Sequence, residues 1–375
     1  MTTLGWYMPG MRQLARARCE PCARDWFIDL PVGQGQFSPV ALDASTGETV
    51  DPACVTWWSD WLRDAHRQRS DASPAFHIRQ HHPATRQVVV LNCIDVLYGH
   101  ALLKLFNVQR YLDAGQVDVV AIVQPCIAAL VPDGVAETWV VDLPLRDGAM
   151  WSDRLARDFA AQMTRFPGVA FAAAQSHPHP STFSIENFSR VRPFDPASWS
   201  ELPPTLTFIW REDRLWLPGL PRFTARHHQT RAVIDLLTML RRRLPALDVA
   251  VAGIGAPGGL PEWIADHRVP KPYAASDRDW LARYAESHVV VGVHGSNMIL
   301  PSAHAGSCFE LIGGDRSGNF LQDIVFNGSD PRDLFFRTRF MPIETSPAAL
   351  AESIAFVIER YPQFRDLMPG PDVRH

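Results

Sequence analysis

Two stretches of the chain set chemically able side chains where apolar segments end. In VVVGVHGSNMILPSAHAGSCFELIGG (289–314), a β-branched run stops at Val293 and gives way to His294, Gly295, Ser296 and Asn297. Small residues opening a helix after a strand can hold an anion, because the first-turn N–H groups are free and the helix dipole is positive there. A tight turn with an internally satisfied histidine is the competing reading. The next apolar run carries Glu310, a carboxylate that is costly to bury unless partnered. In TLTFIWREDRLW (205–216), Arg211, Asp213 and Arg214 follow the apolar residues directly. Guanidinium forks at a strand end suit a diphosphate; Arg211–Asp213 and Glu212–Arg214 could equally be surface ion pairs of little energetic weight.

The elements that must position these residues follow from hydrophobic periodicity. QVVVLNC (87–93) reads as a buried strand, then HALLKLFNVQRYLDAG as a helix with Gly115 as C-cap. DVVAIV (118–123), ETWVVDLP (137–144), the helix SDRLARDFAAQMTRF and GVAFAAA continue the alternation. A second series comprises strand TLTFIW, helix 225–244, strand DVAVAGI, helix 277–287, strand HVVVGV, helix 297–305 and strand CFELIG. Ser276 is placed to N-cap the fourth of these elements, with Trp280, Leu281, Tyr284 and Ala285 on its buried face. Strand–helix alternation implies parallel sheets covered on both faces. The expected fold class is therefore α/β, two Rossmann-like domains whose strand C-termini line a cleft.

Boundaries follow. Residues 1–85 read as an irregular or helical segment of the N-domain. Within them Trp57, Trp58, Trp61 and Leu62 share a helical face, read as core rather than a ligand platform. Residues 86–175 form the first Rossmann-like domain, 176–204 (six prolines from 175 on) a linker, and 205–345 the second domain. Residues 346–375 form a C-terminal amphipathic helix and tail, expected to pack back near the first domain.

Composition excludes several classes. With 375 residues, 46% hydrophobic and 20% charged, the chain is an ordinary globular sequence, and a net charge of −4 leaves no nucleic-acid footprint. Lys104 and Lys271 are the only lysines. No run approaches a membrane helix and no signal-peptide pattern opens the chain, so a cytoplasmic location is expected. Cys19 and Cys22 form a C-x-x-C with no second pair to complete a zinc site. Gly253, Gly255 and Gly258 spell G-x-G-x-x-G, but Pro257 and Pro261 interrupt it, which favours a flexible loop over a NAD or flavin site. The one D-x-D, Asp277-Arg278-Asp279, is explained as a helix start, and His81-His82, His177/His179 and His227-His228 read as loop or surface.

These motifs resemble glycosyltransferase family 61. The resemblance rests on FIWREDR (208–214), YAESHVVVGVHGSNMILPSAHAGSCFELI (284–312) and, more weakly, YGHALLKLFNVQRYL (98–112). The family shows a strand ending in paired arginines, then G-x-H-G-A, then a strand bearing glutamate. Gly292, His294, Gly295 and Glu310 match; Ser296 replaces the alanine, and Asn297 stands earlier than the family's asparagine. The resemblance implies a GT-B glycosyltransferase, inverting and metal-independent, with a nucleotide-sugar donor, a glycan or other hydroxyl acceptor, and no cofactor beyond the donor. It implies that Arg211, Arg214, Gly292, His294, Gly295, Ser296 and Asn297 hold the donor, Glu310 facing its ribose. Such transfer needs a general base. Asp95 and His100, just beyond the strand in LNCIDVLYGHALL, are the candidates, though Asp95 could cap the helix and His100 sit satisfied in its first turn. An NAD- or S-adenosylmethionine-dependent Rossmann enzyme using Gly253–Gly258, and a non-catalytic nucleotide- or sugar-binding protein, remain the alternatives.

Overall fold

A computed structural model of the protein describes residues 1–216, 222–271, 274–319, 325 and 330–368. The chain divides into two compact units, Met1–Ser189 and Arg190–His375.

The first unit opens with strands, correcting the irregular reading of residues 1–85. β1 (Thr2–Tyr7), β2 (Leu14–Cys19) and β3 (Arg24–Asp29) form an antiparallel meander. The two-residue β4 (Val32–Gly33) follows, and β5 (Ala41–Asp43) and β6 (Thr49–Val50) complete a sheet ordered β1-β2-β3-β5-β6. The alternation in β2 is between alanine and arginine: Ala15 and Ala17 are half-buried and buried, whereas Arg16 and Arg18 are exposed and pair with Asp25 across the hairpin. α1 (Thr56–Arg67) comes next. Of its four expected core residues only Trp58 and Leu62 are buried; Trp57 is 43% exposed and Trp61 half-buried.

β7 (Phe76–Gln80) is the antiparallel edge of a second sheet. Its other strands, β8 (Val88–Asn92), β9 (Asp118–Val123), β10 (Glu137–Val141) and β11 (Val169–Phe171), are parallel, in the order β11-β8-β9-β10-β7. Every residue of β8, β9 and β10 is buried, as expected of strands covered on both faces. α2 (Tyr98–Phe106) and α3 (Val108–Ala114) join β8 to β9, and Gly115 closes α3 with φ 64°. α4 (Asp153–Met163) joins β10 to β11, its N-terminus capped by the Ser152 hydroxyl accepting from Leu155 N–H. β12 (Ala174–Gln175) pairs with β4, and α5 (Ile185–Ser189) packs Phe188 against Phe106 at 4.9 Å.

The second unit has one parallel sheet. β13 (Thr205–Trp210), β14 (Asp248–Ile254), β15 (Ala265–Val269), β16 (Val289–Val293), β17 (Ser307–Ile312) and β18 (Thr338–Pro342) lie in the order β15-β14-β13-β16-β17-β18. Numbered within the unit this is 3-2-1-4-5-6, the doubly wound Rossmann order. Its helices are α6 (Arg222–Arg243), α7 (Ala274–Glu286), α8 (Ile299–His304), α9 (Pro331–Arg337) and α10 (Pro347–Leu367). α7 begins before Ser276, so Ser276 lies inside the helix rather than at its cap.

Two further expectations change. The segment 176–204 contains the division between the units, yet it is packed rather than open: Phe188 belongs to the first unit, while Phe194 and Trp199 are buried in the second unit's core. α10 turns its apolar face to that same core. Tyr361 lies 4.5 Å from the Trp199 ring, and Trp199 Nε1 donates to Ile358 O at 3.1 Å. No helix among the described residues is long and apolar enough to cross a membrane.

Candidate functional site

In the second unit the chain leaves β13 towards β14 and returns through α7 to β16 on the other side of β13. The carboxyl ends of these neighbouring strands are the topological switch point, where open α/β sheets bind ligands. Both motifs of the sequence meet there. Arg211 Nη1 donates to His294 O (3.1 Å) and to Asn297 Oδ1 (2.7 Å), and Arg214 Nη1 donates to His294 O (3.0 Å). The other nitrogens of Arg211 fork onto Asp213 at 2.8 and 2.5 Å. Four of the five N–H groups of Arg211 are thus engaged within the protein. It braces the β16 turn, where a direct diphosphate contact was expected of it.

Arg214 differs. Its Nε and Nη2 donate to nothing among the described residues, and the side chain is partly exposed. Burial lowers its pKa, and the neighbouring Arg211 and Arg316 guanidiniums lower it further. Arg316 enters the site unannounced by any motif; its partner is the adjacent Asp315, at 3.4 Å. Arg316 follows β17 in the 314–319 turn, and its charge, with that of Arg211, bears on Arg214.

The turn between them demands glycine. Gly295 has φ 147° and ψ −179°, and a Cβ there would lie 2.5 Å from Arg211 Nη1. Gly295, Ser296 and Asn297 are half-exposed, and the chain then makes one tight turn, Ser296–Met298, before α8. The long helix expected over 297–305 is in fact this turn plus the short α8. Gly292, by contrast, is a buried packing glycine: a Cβ would meet Met298 Sδ at 2.8 Å and Ile209 Cβ at 2.9 Å. It holds strands together and is closed to a donor.

His294 and Glu310 are 1% and 0% exposed, and His294 Nδ1 bonds directly to Glu310 Oε2. The carboxylate's partner within the fold is this histidine, in place of a solvent-facing ribose, and the pair fixes the end of β16 to β17. The glycine-rich loop is also tied down rather than flexible. Gly253 (φ 130°) and Gly255 wrap Trp210, where added Cβ atoms would fall 2.2 Å from Trp210 O and 2.5 Å from its Nε1. Gly258 N–H donates to Asp266, and Arg268 donates to Gly258 O. The loop then enters edge strand β15, not the helix a dinucleotide fingerprint requires.

The first unit has its own switch point, between β8 and β11. Asp95 follows β8, and Lys104 Nζ (3.0 Å) and His100 Nδ1 (3.6 Å) flank its carboxylate. Burial alone would raise the Asp95 pKa, but Lys104 and His100 override it and hold the carboxyl well below the usual range. A carboxylate so stabilised is a poor proton acceptor. The His100 side chain, 32% exposed, is the accessible member. Asp95 is not the cap of α2; its Oδ1 accepts from Leu97 N–H. Across from it, after β12, His177 brings its ring 6.3 Å from that of His100, so one of the histidines read as surface belongs to this cluster.

Cys19 and Cys22 are free thiols at the β2–β3 hairpin. Asp277 and Asp279 lie within α7, and burial raises the Asp277 pKa. No family model matches the chain, and no curated protein is similar to it in sequence. Among solved structures the chain is similar to the E. coli ADP-heptose lps heptosyltransferase II, with a TM-score of 0.44 and 10% identity over 74% of this chain and 99% of that one. It is likewise similar to the E. coli heptosyltransferase WaaC with ADP, with a TM-score of 0.40 and 15% identity over the same shares. Likenesses at these scores carry no argument about chemistry.

Proposed function

We propose that the protein is a GT-B glycosyltransferase that binds the diphosphate of a nucleotide-sugar donor at the β13/β16 switch point and transfers the sugar to a hydroxyl acceptor. One observation carries this reading: Arg214, with donors to spare, bonds His294 O beside the half-exposed Gly295–Asn297 turn at the site where a Rossmann sheet takes its ligand. The family-61 pattern of arginines, His294-Gly295 and Glu310 supports it, with Arg211 and Glu310 as braces behind the turn.

In inverting transfer the acceptor oxygen attacks the anomeric carbon as the bond to the diphosphate breaks. The acceptor proton passes to a base, and the charge developing on the diphosphate is neutralised. His100, oriented by Asp95, is the base in this reading, and Arg214 and Arg316 stabilise the leaving group in place of a metal.

Titration calorimetry with UDP, GDP, ADP, CMP, NAD and S-adenosylmethionine tests it. A nucleoside diphosphate should bind, and Arg214→Ala should weaken it by about 1.5–3 kcal/mol, roughly 10- to 150-fold. Binding of NAD or S-adenosylmethionine alone would refute the reading.

A further inference from the structure

A cavity of about 590 Å³ opens in the first unit between α1, the approach to β7 and the loop leaving β10. That volume falls within the ~300–1,000 Å³ of small-molecule sites. Its apolar side is formed by Trp61, Leu143, Met150 and Trp151, and its polar side includes Asp64, Gln68, Arg146 and Asp147. Trp57 packs edge-on to Trp61 at 5.1 Å, which extends the exposed aromatic surface.

The walls are preformed. Trp151 Nε1 donates to Asp153 Oδ1 at 2.8 Å, and Ser70 N–H donates to Trp151 O at 3.1 Å. The polar groups, by contrast, are loosely held: Asp64 has only Arg63 and Arg67, each at 4.0 Å, and Arg146 only Asp147, at 3.7 Å. Hydrogen bonds link Leu143 in the cavity wall to the backbone of Asp95. Asp95 N–H donates to Gln124 Oε1 (2.9 Å), whose Nε2 donates to Leu143 O (3.2 Å), and Gly148 packs so closely that a Cβ would fall 2.3 Å from Asp95 O.

We infer that this cavity binds a neutral sugar, the acceptor of the reaction proposed above, on which reading the word acceptor rests. An indole face matches the C–H face of a pyranose. Carboxylates, an amide and a guanidinium beside it match the ring hydroxyls, which both donate and accept. Two carboxylates against one guanidinium argue against a phosphate or an acidic sugar. Trp61, half-buried against the core, turns its remaining surface to this cavity.

The test is calorimetric titration of the full chain with methyl glycosides and disaccharides of neutral hexoses, with inorganic phosphate and methyl glucuronide as charged probes. A neutral glycoside should bind, and Trp61→Ala and the exposed-site variant Gln68→Ala should each weaken it about tenfold or more. No binding of any neutral glycoside, preference for a charged probe, or binding indifferent to both cavity variants overturns the inference. The two proposals fail separately: sugar binding without any nucleoside-diphosphate binding leaves the cavity assignment standing and removes the transferase reading, and the reverse removes only the cavity.

Discussion

Replacing Gly295 with alanine tests whether the β16 turn and the arginines behind it form one unit. At φ 147° and ψ −179° the residue occupies a region almost confined to glycine, so alanine costs about 1–3 kcal/mol in backbone strain. The new methyl would also sit 2.5 Å from Arg211 Nη1 and 3.2 Å from Asn297 Oδ1. Arg211 must retreat, giving up its bonds to His294 O and Asn297 Oδ1, each of a kind worth about 1.5–3 kcal/mol. The losses overlap, because one movement relieves both, so the net destabilisation should be about 2–4 kcal/mol. For a unit of this size that lowers its melting temperature by roughly 5–15 °C. Scanning calorimetry reads this directly, with Gly314→Ala as control, since a Cβ there meets nothing within 4 Å. The same variant should weaken nucleoside-diphosphate binding at least tenfold, about 1.4 kcal/mol. A Gly295→Ala protein that melts like wild type and binds nucleotide as tightly would refute the bracing role of Arg211.

Burial holds the His304 pKa down at about 4, against ~6.5 when unfolded. The unfolded chain therefore binds more protons between these values, and stability is full above pH 6.5, falls by up to about 3 kcal/mol towards pH 4, and falls no further from this group below that. Urea unfolding of wild type and His304→Gln between pH 5 and 7 should show the slope reduced in the variant, with His66 and His288, also lowered by burial, supplying the remainder. Lys104→Met leaves the Asp95 carboxylate buried without its nearest cation and should cost about 3–5 kcal/mol, whereas Lys104→Met with Asp95→Asn should recover much of it; an additive double variant would contradict the pairing. His100→Ala should lower kcat by ~10²–10⁴ with donor affinity little changed, and activity should survive EDTA; full turnover in the variant, or a strict divalent-metal requirement, would contradict the proposed chemistry.

The sequence by itself determined the strands covered on both faces. β8, β9, β13, β14 and β16 are predominantly apolar because a strand between two helical layers admits only polar groups that are bonded, such as Asn92, Asp118 and Thr207. Their ends are legible for the same reason, which is why the sequence alone puts Asp95, Arg211 and His294 at strand termini. The edge strands β7, β15 and β18 were not legible, whereas edge strand β11 reads as GVAFAAA. β7, β15 and β18 face solvent or a loop on one side, tolerate charge, and read FHIRQ, ADHRV and TRFMP. The N-terminal meander was missed because its alternation is carried by alanine and arginine rather than large apolar residues. Only the tertiary structure decided which polar atoms are engaged. Sequence cannot distinguish Arg211, four of whose five N–H groups are engaged by the turn and Asp213, from Arg214, which has one bond to the turn, because that depends on a carbonyl and an asparagine some eighty residues away. It likewise could not bring His177 to His100, nor tell that Trp61 lines a cavity while Trp57 stands exposed. Periodicity reports which face of a helix is apolar; what that face meets is set by the chain that folds against it.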